Sequence, residues 1–243
     1  MNAIEAYRRA VIDLLAETSS QDQILATASR RTAESLRSGG VLHVFGSGHS
    51  MLPAIDATFR AGGLAPVHLL HDPSLAPWEP TRVSRVERLP GYGTAIVDLQ
   101  DLRRGEVLVV LSHSGINPVP VELAQRARDR GLCVVAITSR RHSLASASRH
   151  PDGLRLLDVA DLVLDTGAPE GDVALTLPDG TETGPTSTIV ATMLLHALAI
   201  GAMEQLIADG AAPPVLRSMN RADGDATNER VLAPFRGRLS REP

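Results

Sequence analysis

Two short apolar runs in this chain each break into a cluster of Gly and Ser and then lead into an amphipathic stretch. Residues 41–45 run into Gly46-Ser47-Gly48-His49-Ser50, and Val107–Leu111 run into Ser112-His113-Ser114-Gly115. Helical spacing over 119–130 is followed by an apolar run over 132–138 that ends in Thr138 and Ser139, and by another over 162–164. Short strands that are apolar throughout and alternate with helices predict a mostly parallel sheet with right-handed crossovers and helices on both faces. The expected fold class is therefore α/β, a flavodoxin-like three-layer sandwich preceded by two helices over residues 3–37. Sheets of this kind bind ligands beyond the carboxyl ends of their strands.

The organisation reads as N-terminal helices over 1–38, an α/β sheet unit over 39–210, and an extended tail over 211–243. Residues 71–95, rich in Pro and Arg, interrupt the alternation as an excursion over the ligand site or a contact in a dimer. Pro178-Asp179-Gly180-Thr181 reads as the turn of a small hairpin. Residues 184–203 contain no Asp, Glu, Lys or Arg, a length and composition that could span a bilayer. Their opening Gly-Pro-Thr-Ser-Thr, the central His196 and the lack of a basic flank favour a helix buried against the sheet.

Composition narrows the function classes. The net charge is -4 and the basic residues are scattered, which gives no footprint for a nucleic-acid backbone. The single cysteine, Cys133, excludes a disulfide framework and is expected as a small core hydrophobe. Charges interrupt the first apolar residues, unlike a secretory leader, so a cytoplasmic location without membrane attachment is expected. No G-x-G-x-x-G follows a strand, because Met51 stands where the third Gly would be, and a dinucleotide site is disfavoured.

Hydroxyl residues recur at three strand ends: Ser47 and Ser50, Ser112 and Ser114, Thr138 and Ser139. A phosphate needs several short donors converging without crowding, and Ser hydroxyls with helix N-terminal amides supply them. The same residues also serve as ordinary helix caps in any one loop; three loops in register favour a ligand rim. Candidate phosphate- or sugar-binding residues are Ser47, Gly48, His49, Ser50, Ser112, His113, Ser114, Asn117, Ser139 and Ser187.

Ser112-His113-Ser114-Gly115, with Asn117 two residues beyond, resembles the phosphate loop of sugar isomerase (SIS) domains, where Ser or Thr usually stands in place of Asn117. The first Gly-rich loop resembles those of phosphoheptose isomerase and N-acetylmuramic acid 6-phosphate etherase, and the order of elements agrees over roughly residues 20–208. Arg60-Ala61-Gly62-Gly63, Glu87-Arg88, Gly91-Tyr92 and Gly184-Pro185-Thr186-Ser187-Thr188 resemble bacterial SIS proteins of unassigned function most closely. The resemblance implies a single SIS domain that binds a sugar phosphate and pairs as a homodimer or higher homo-oligomer.

Aldose–ketose isomerisation passes a proton between adjacent carbons, which requires a carboxylate or imidazole at the site. Candidates are His196, which the resemblance places on the catalytic histidine of phosphoheptose isomerase; Glu182, which it places on the catalytic glutamate of a glucosamine-6-phosphate synthase stretch; and Glu87 in the irregular excursion. Each has an ordinary structural alternative: a core histidine, a hairpin carboxylate, a surface ion pair. Arg60 stands where the isomerase and etherase carry their glutamate, and the four positions matching a zinc site are Asp56, Arg60, Thr188 and His196. Only two of these ligate metals, so no metal and no cofactor are expected, and Asp56 with Arg60 is expected to pair along a helix. The expected function is isomerisation of a sugar phosphate, with an etherase- or deglycase-type lyase or a non-catalytic phosphosugar sensor as alternatives.

Overall fold

The computed structural model describes residues 2–239. Five strands, β1 Leu42–Gly46, β2 Val67–Leu69, β3 Val107–Leu111, β4 Cys133–Thr138 and β5 Leu162–Asp165, form a sheet in the order β2-β1-β3-β4-β5. Every pairing is parallel. β1 and β3 are buried along their whole length, because helices cover both sides of the sheet.

Alternation along the strands divides the core. Leu42, Val44, Val107, Val109, Leu111, Val135 and Ile137 pack on one face with α2 (Asp22–Arg37), α3 (Met51–Asp56) and α9 (Ser187–Ala208). Phe45, Leu108, Val110, Val134 and Ala136 pack on the other with α5 (Tyr92–Asp98), α6 (Pro118–Asp129) and α8 (Leu156–Val159). The chain leaves β1 for β2 on one side and returns to β3 on the other. The direction of winding thus reverses between β1 and β3, where an open α/β sheet leaves a crevice at its carboxyl edge.

The two N-terminal helices behave differently. α2 lies against α9, where Ser29 donates to the Leu198 carbonyl at 3.0 Å and Gly201 makes room, since a Cβ there would sit 2.5 Å from Ser29 Oγ. α1 (Ala3–Glu17) buries no residue and leaves Ile4 and Ile12 exposed. The long apolar segment is helix α9, a core element that buries Val190, Leu194, Leu195, Leu198, Ala202 and Leu206. Cys133, expected in the core, is half-buried at the start of β4.

Residues 71–95 are mostly helical: α4 (Pro80–Val86) and α5 follow a single turn at Pro73–Leu75. This excursion lies over the crevice, with Val83 and Glu87 on its wall. The hairpin is present as β6 (Leu175–Thr176) and β7 (Glu182–Thr183); between it and β4 lies α7 (Arg140–Ala145).

The tail departs from the extended reading. Val215 bridges Leu64, but α10 (Gly224–Leu232) and a turn at Ala233–Phe235 follow. The helix is held from a distance: Asn228 bonds both the amide and the carbonyl of Arg217 at 2.8 Å, Phe235 is buried, and Arg238 donates to Glu106 at 2.8 Å. Polar, long-range anchors of this kind leave no apolar period in the sequence.

Candidate functional site

The crevice between β1 and β3 is a cleft of about 670 Å³, lined by the loop after β1 (Ser47, Gly48, His49, Ser50), the loop after β3 (Ser112, His113, Ser114, Ile116, Asn117), Val83 and Glu87, and the segment 146–149 with His142. Gly46 makes the first turn possible, since a Cβ there would lie 2.1 Å from the Ser50 carbonyl oxygen. In the second loop Gly115 takes φ 62° and donates its amide to Ser112 Oγ at 3.2 Å, bending the backbone back before Asn117 and Pro118 open α6. Hydroxyls of Ser112 and Ser114 therefore stand on one rim at the N-terminus of α6, whose first turn holds Pro118 and Pro120 and gives its Val119 amide to Glu87, so the hydroxyls and not helix amides are the donors an anionic phosphate would meet.

Glu87 joins the two loops. Its carboxylate accepts hydrogen bonds from Ser47 Oγ and, at 2.8 Å, from Asn117 Nδ2, while its own carbonyl accepts from the Val119 amide at 3.2 Å. Arg149 donates to Asn117 Oδ1 at 3.0 Å, completing a chain from cation to amide to carboxylate. Burial pushes the Glu87 carboxyl above the usual carboxylate range, and the bonds from Ser47 and Asn117 only partly offset it. A buried carboxyl with a raised pKa beside an anion rim is a group suited to acid–base chemistry.

Two imidazoles of the far wall, His113 and His142, and the carboxylate of Asp172 beside them come from separate parts of the chain. The rings of His113 and His142 meet edge to face with centroids 4.6 Å apart. Burial lowers the pKa of both below that of an ordinary imidazole, against the pull of Asp172 on His113 and of Glu170 on His142. Asp172, at a left-handed φ of 59°, accepts from the Thr186 and Ser187 amides at 2.8 Å each and from Ser187 Oγ at 2.6 Å. It thereby caps α9, and these bonds overcome burial to hold its carboxyl below the usual range.

Not every candidate reaches the cleft. Ser139 is fully buried as the cap of α7, donating to the Ala168 carbonyl at 2.6 Å and accepting from the His142 amide at 3.1 Å, so its hydroxyl is spent on structure. Ser187 borders a narrow slot behind the cleft that Ser50, Ser112 and His113 also line, with its hydroxyl given to Asp172. Glu182 is exposed on the hairpin among Glu170, Ala174 and Thr176. His196 lies nine residues along α9 from Ser187, about 13 Å at 1.5 Å per residue. Its Nε2 bonds Asp56 Oδ2 at 2.7 Å, and Asp56 also binds Arg60; the pair expected from the spacing forms, but not along a helix, since α3 ends at Asp56 and Phe59 turns the chain at φ 51° before Arg60. Among the described residues no three His, Cys, Asp or Glu side chains gather in a metal-holding group.

His142 and Arg149 line the cleft, and Asp172 acts on His113 through its charge; sequence reasoning picked out none of the three. His142 had a signal in its place three residues beyond a strand-end serine, where a helix start faces the same rim. Arg149 and Asp172 lie in irregular segments whose path is set by tertiary packing alone.

The assembled geometry, a 2-1-3-4-5 parallel sheet with a hydroxyl-lined cleft at its switch point, can be set beside known proteins. Residues 6–139 match the SIS domain. The chain belongs to the SIS domain family. The UPF0309 protein of Listeria monocytogenes serotype 4b is 37% identical over 214 residues, 87% of each chain. A phosphoheptose isomerase from Francisella tularensis shares the fold with a TM-score of 0.57 at 18% identity, over 83% of this chain and 98% of its own. The phosphoheptose isomerase of Neisseria gonorrhoeae has a TM-score of 0.55 at 18% identity, over 82% and 97%. This SIS chain therefore shares its fold with these two structures, and it carries Arg60 paired to Asp56 at the end of α3.

Proposed function

We propose that this SIS protein binds a phosphorylated sugar in the β1–β3 cleft and isomerises it between aldose and ketose in the cytoplasm, with Glu87 as the acid–base group. The observation that carries the reading is Glu87 itself, a buried carboxyl of raised pKa tied to both serine loops. The phosphate sits on Ser112 and Ser114, with Arg149 of the cleft wall as its counter-charge, so the sugar carbons extend past the Glu87 carboxylate. Glu87 takes the proton from C2 as the C1–C2 double bond forms and O1 gains a proton. It then returns its proton to C1 while O2 loses one and becomes the carbonyl. The names of the two structural neighbours, both phosphoheptose isomerases, support the substrate class.

The protein is further proposed to pair. Leu52, Ile55 and Phe59 at α3 and Ile189, Ile200 and Ile207 on α9 are exposed, and α3 packs on α9, leaving an apolar face around Asp56 and His196 that a second copy would cover. Sedimentation at micromolar concentration tests this, a monomer refuting it.

The activity is tested by incubating pentose, hexose and heptose phosphates with the protein in D2O and following loss of the C2 proton by NMR. Exchange by the native protein and none by Glu87→Gln supports the proposal. Exchange that survives Glu87→Gln refutes the role of Glu87, and binding without exchange makes the protein a sensor.

A further inference from the structure

The hydrogen-bonding of His113 and His142 fixes which of their nitrogens carries a proton. The Gly171 amide can only donate, and it reaches His142 Nδ1 at 3.1 Å. That nitrogen is therefore an acceptor, and the neutral ring carries its proton on Nε2. The Pro169 carbonyl can only accept, and it lies 3.2 Å from His113 Nε2. His113 thus also carries its proton on Nε2 and leaves Nδ1 bare. Both rings line the cleft, and one short segment, Pro169 to Gly171, holds them by opposite nitrogens. What each ring has left to offer is therefore opposite: an acceptor, Nδ1, on His113 and a donor, Nε2–H, on His142.

His113 Nδ1 has no hydrogen-bond partner although it is shielded from solvent. Among the described residues four buried side-chain polar atoms are in this position, and of these only His113 belongs to the cleft wall. A bare buried acceptor costs free energy unless something donates to it. The neighbouring ring offers the complement, an Nε2–H donor on an imidazole 4.6 Å away centroid to centroid.

We propose that His113 and His142 read the hydroxyl groups of the bound sugar, His113 Nδ1 accepting from a hydroxyl and His142 Nε2–H donating to one. The assignment rests on the sugar-phosphate reading of the cleft and deepens it: the ligand is a polyhydroxylated phosphate, and the histidine wall separates it from a bare anion. A hydroxyl is the group that both donates and accepts, so it satisfies the free nitrogen of either ring. The loop carrying Pro169 and Gly171 acts as a positioning element, since moving it would release both rings together.

Paired isosteres separate ligand contact from loop tethering. Gln at 113 places an amide N–H near the Nε2 position and keeps the bond to Pro169 while losing the acceptor. Asn at 142 places an oxygen near the Nδ1 position and keeps the bond to Gly171 while losing the donor. Calorimetric titration of native protein, His113→Gln, His142→Asn and His142→Gln would use two probes, inorganic phosphate and the best-bound of a pentose, a hexose and a heptose monophosphate. His113→Gln and His142→Asn should bind inorganic phosphate as the native protein does and the sugar phosphate about five- to tenfold more weakly, the worth of one hydrogen bond. His142→Gln, which restores a donor near the Nε2 position, should recover part of the loss, and thermal unfolding without ligand checks that each variant is folded. Sugar-phosphate affinity unchanged in the first two variants overturns the assignment while leaving the cleft reading intact. Parallel loss of both probes overturns it too, as a disturbance of the phosphate rim. A native protein that binds neither probe overturns both readings.

Discussion

Replacing Glu106 by Gln is expected to cost the fold about 3 kcal/mol at neutral pH. Glu106 is 4% exposed at its side chain and accepts from the Val41 amide at 3.1 Å, and from the Arg103 amide, His43 Nε2 and Arg238 at 2.8 Å each. Burial by itself would raise the carboxyl, but the bonds from His43, Arg103 and Arg238 overcome it and hold it at about 2, against 4.5 for an unperturbed group. At about 1.4 kcal/mol per pH unit that difference is worth roughly 3 kcal/mol. Burial keeps His43 below its ordinary pKa despite the carboxylate, so the charge partner is Arg238 and the imidazole serves as a neutral donor. Because the folded value is depressed, the stabilisation is complete above 4.5 and is lost as the pH falls toward 2. Urea titrations of native protein and Glu106→Gln at neutral pH and near pH 3 would measure it. The expected result is a large neutral-pH difference, with a melting temperature lower by about 6–12 °C, that shrinks in acid. A loss below about 1 kcal/mol, or one that does not shrink, would refute the reasoning.

Gly46→Ala should cost at least about 3 kcal/mol and remove ligand binding, since its Cβ would lie 2.1 Å from the Ser50 carbonyl oxygen, which is backbone and cannot yield; calorimetry of unfolding and binding checks both. The acid limb of the pH–rate profile should lie above the ordinary carboxylate value of 4.5 because burial raises Glu87, activity appearing as the pH rises through its pKa; a limb at or below that value contradicts the assignment. The same burial disfavours the charged form of Glu87 in the folded state, so Glu87→Gln should hold or raise the melting temperature while abolishing turnover. Asn228→Ala should loosen α10 from Arg217 by about 1–3 kcal/mol, seen as faster amide exchange over 224–235 with the sheet unchanged.

How much of this was legible in the sequence depends on the range of the forces involved. β1 and β3 are covered on both faces, so their apolar runs and the loops behind them identify the switch-point rim directly. α9 reads from its apolar length. β2 is a three-residue edge strand and gives no pattern to find. The excursion over 71–95 shows its Pro and Arg content plainly, but that Glu87 would reach Ser47, forty residues away, and Asn117, thirty away, is a property of the fold. Ser139 and Glu182 show the converse: strand-end serines divide between ligand rim and helix cap according to which carbonyls lie nearby, and a hairpin carboxylate stays in water when its hairpin faces away from the rim. His196 met Asp56 across 140 residues, a pairing that α3 and α9 create by packing. Asp172 caps a helix that begins fifteen residues later, beyond the reach of any local capping rule.

Whether the cleft binds a phosphorylated sugar is tested most directly by titrating pentose, hexose and heptose phosphates, with the unphosphorylated sugars as controls, against native protein and the Ser112→Ala/Ser114→Ala variant while following the melting temperature. A ligand that binds only the folded state must raise it. The account predicts a rise with phosphorylated sugars alone that disappears in the double variant. No rise with any sugar phosphate, or one that persists without the two hydroxyls, would contradict it.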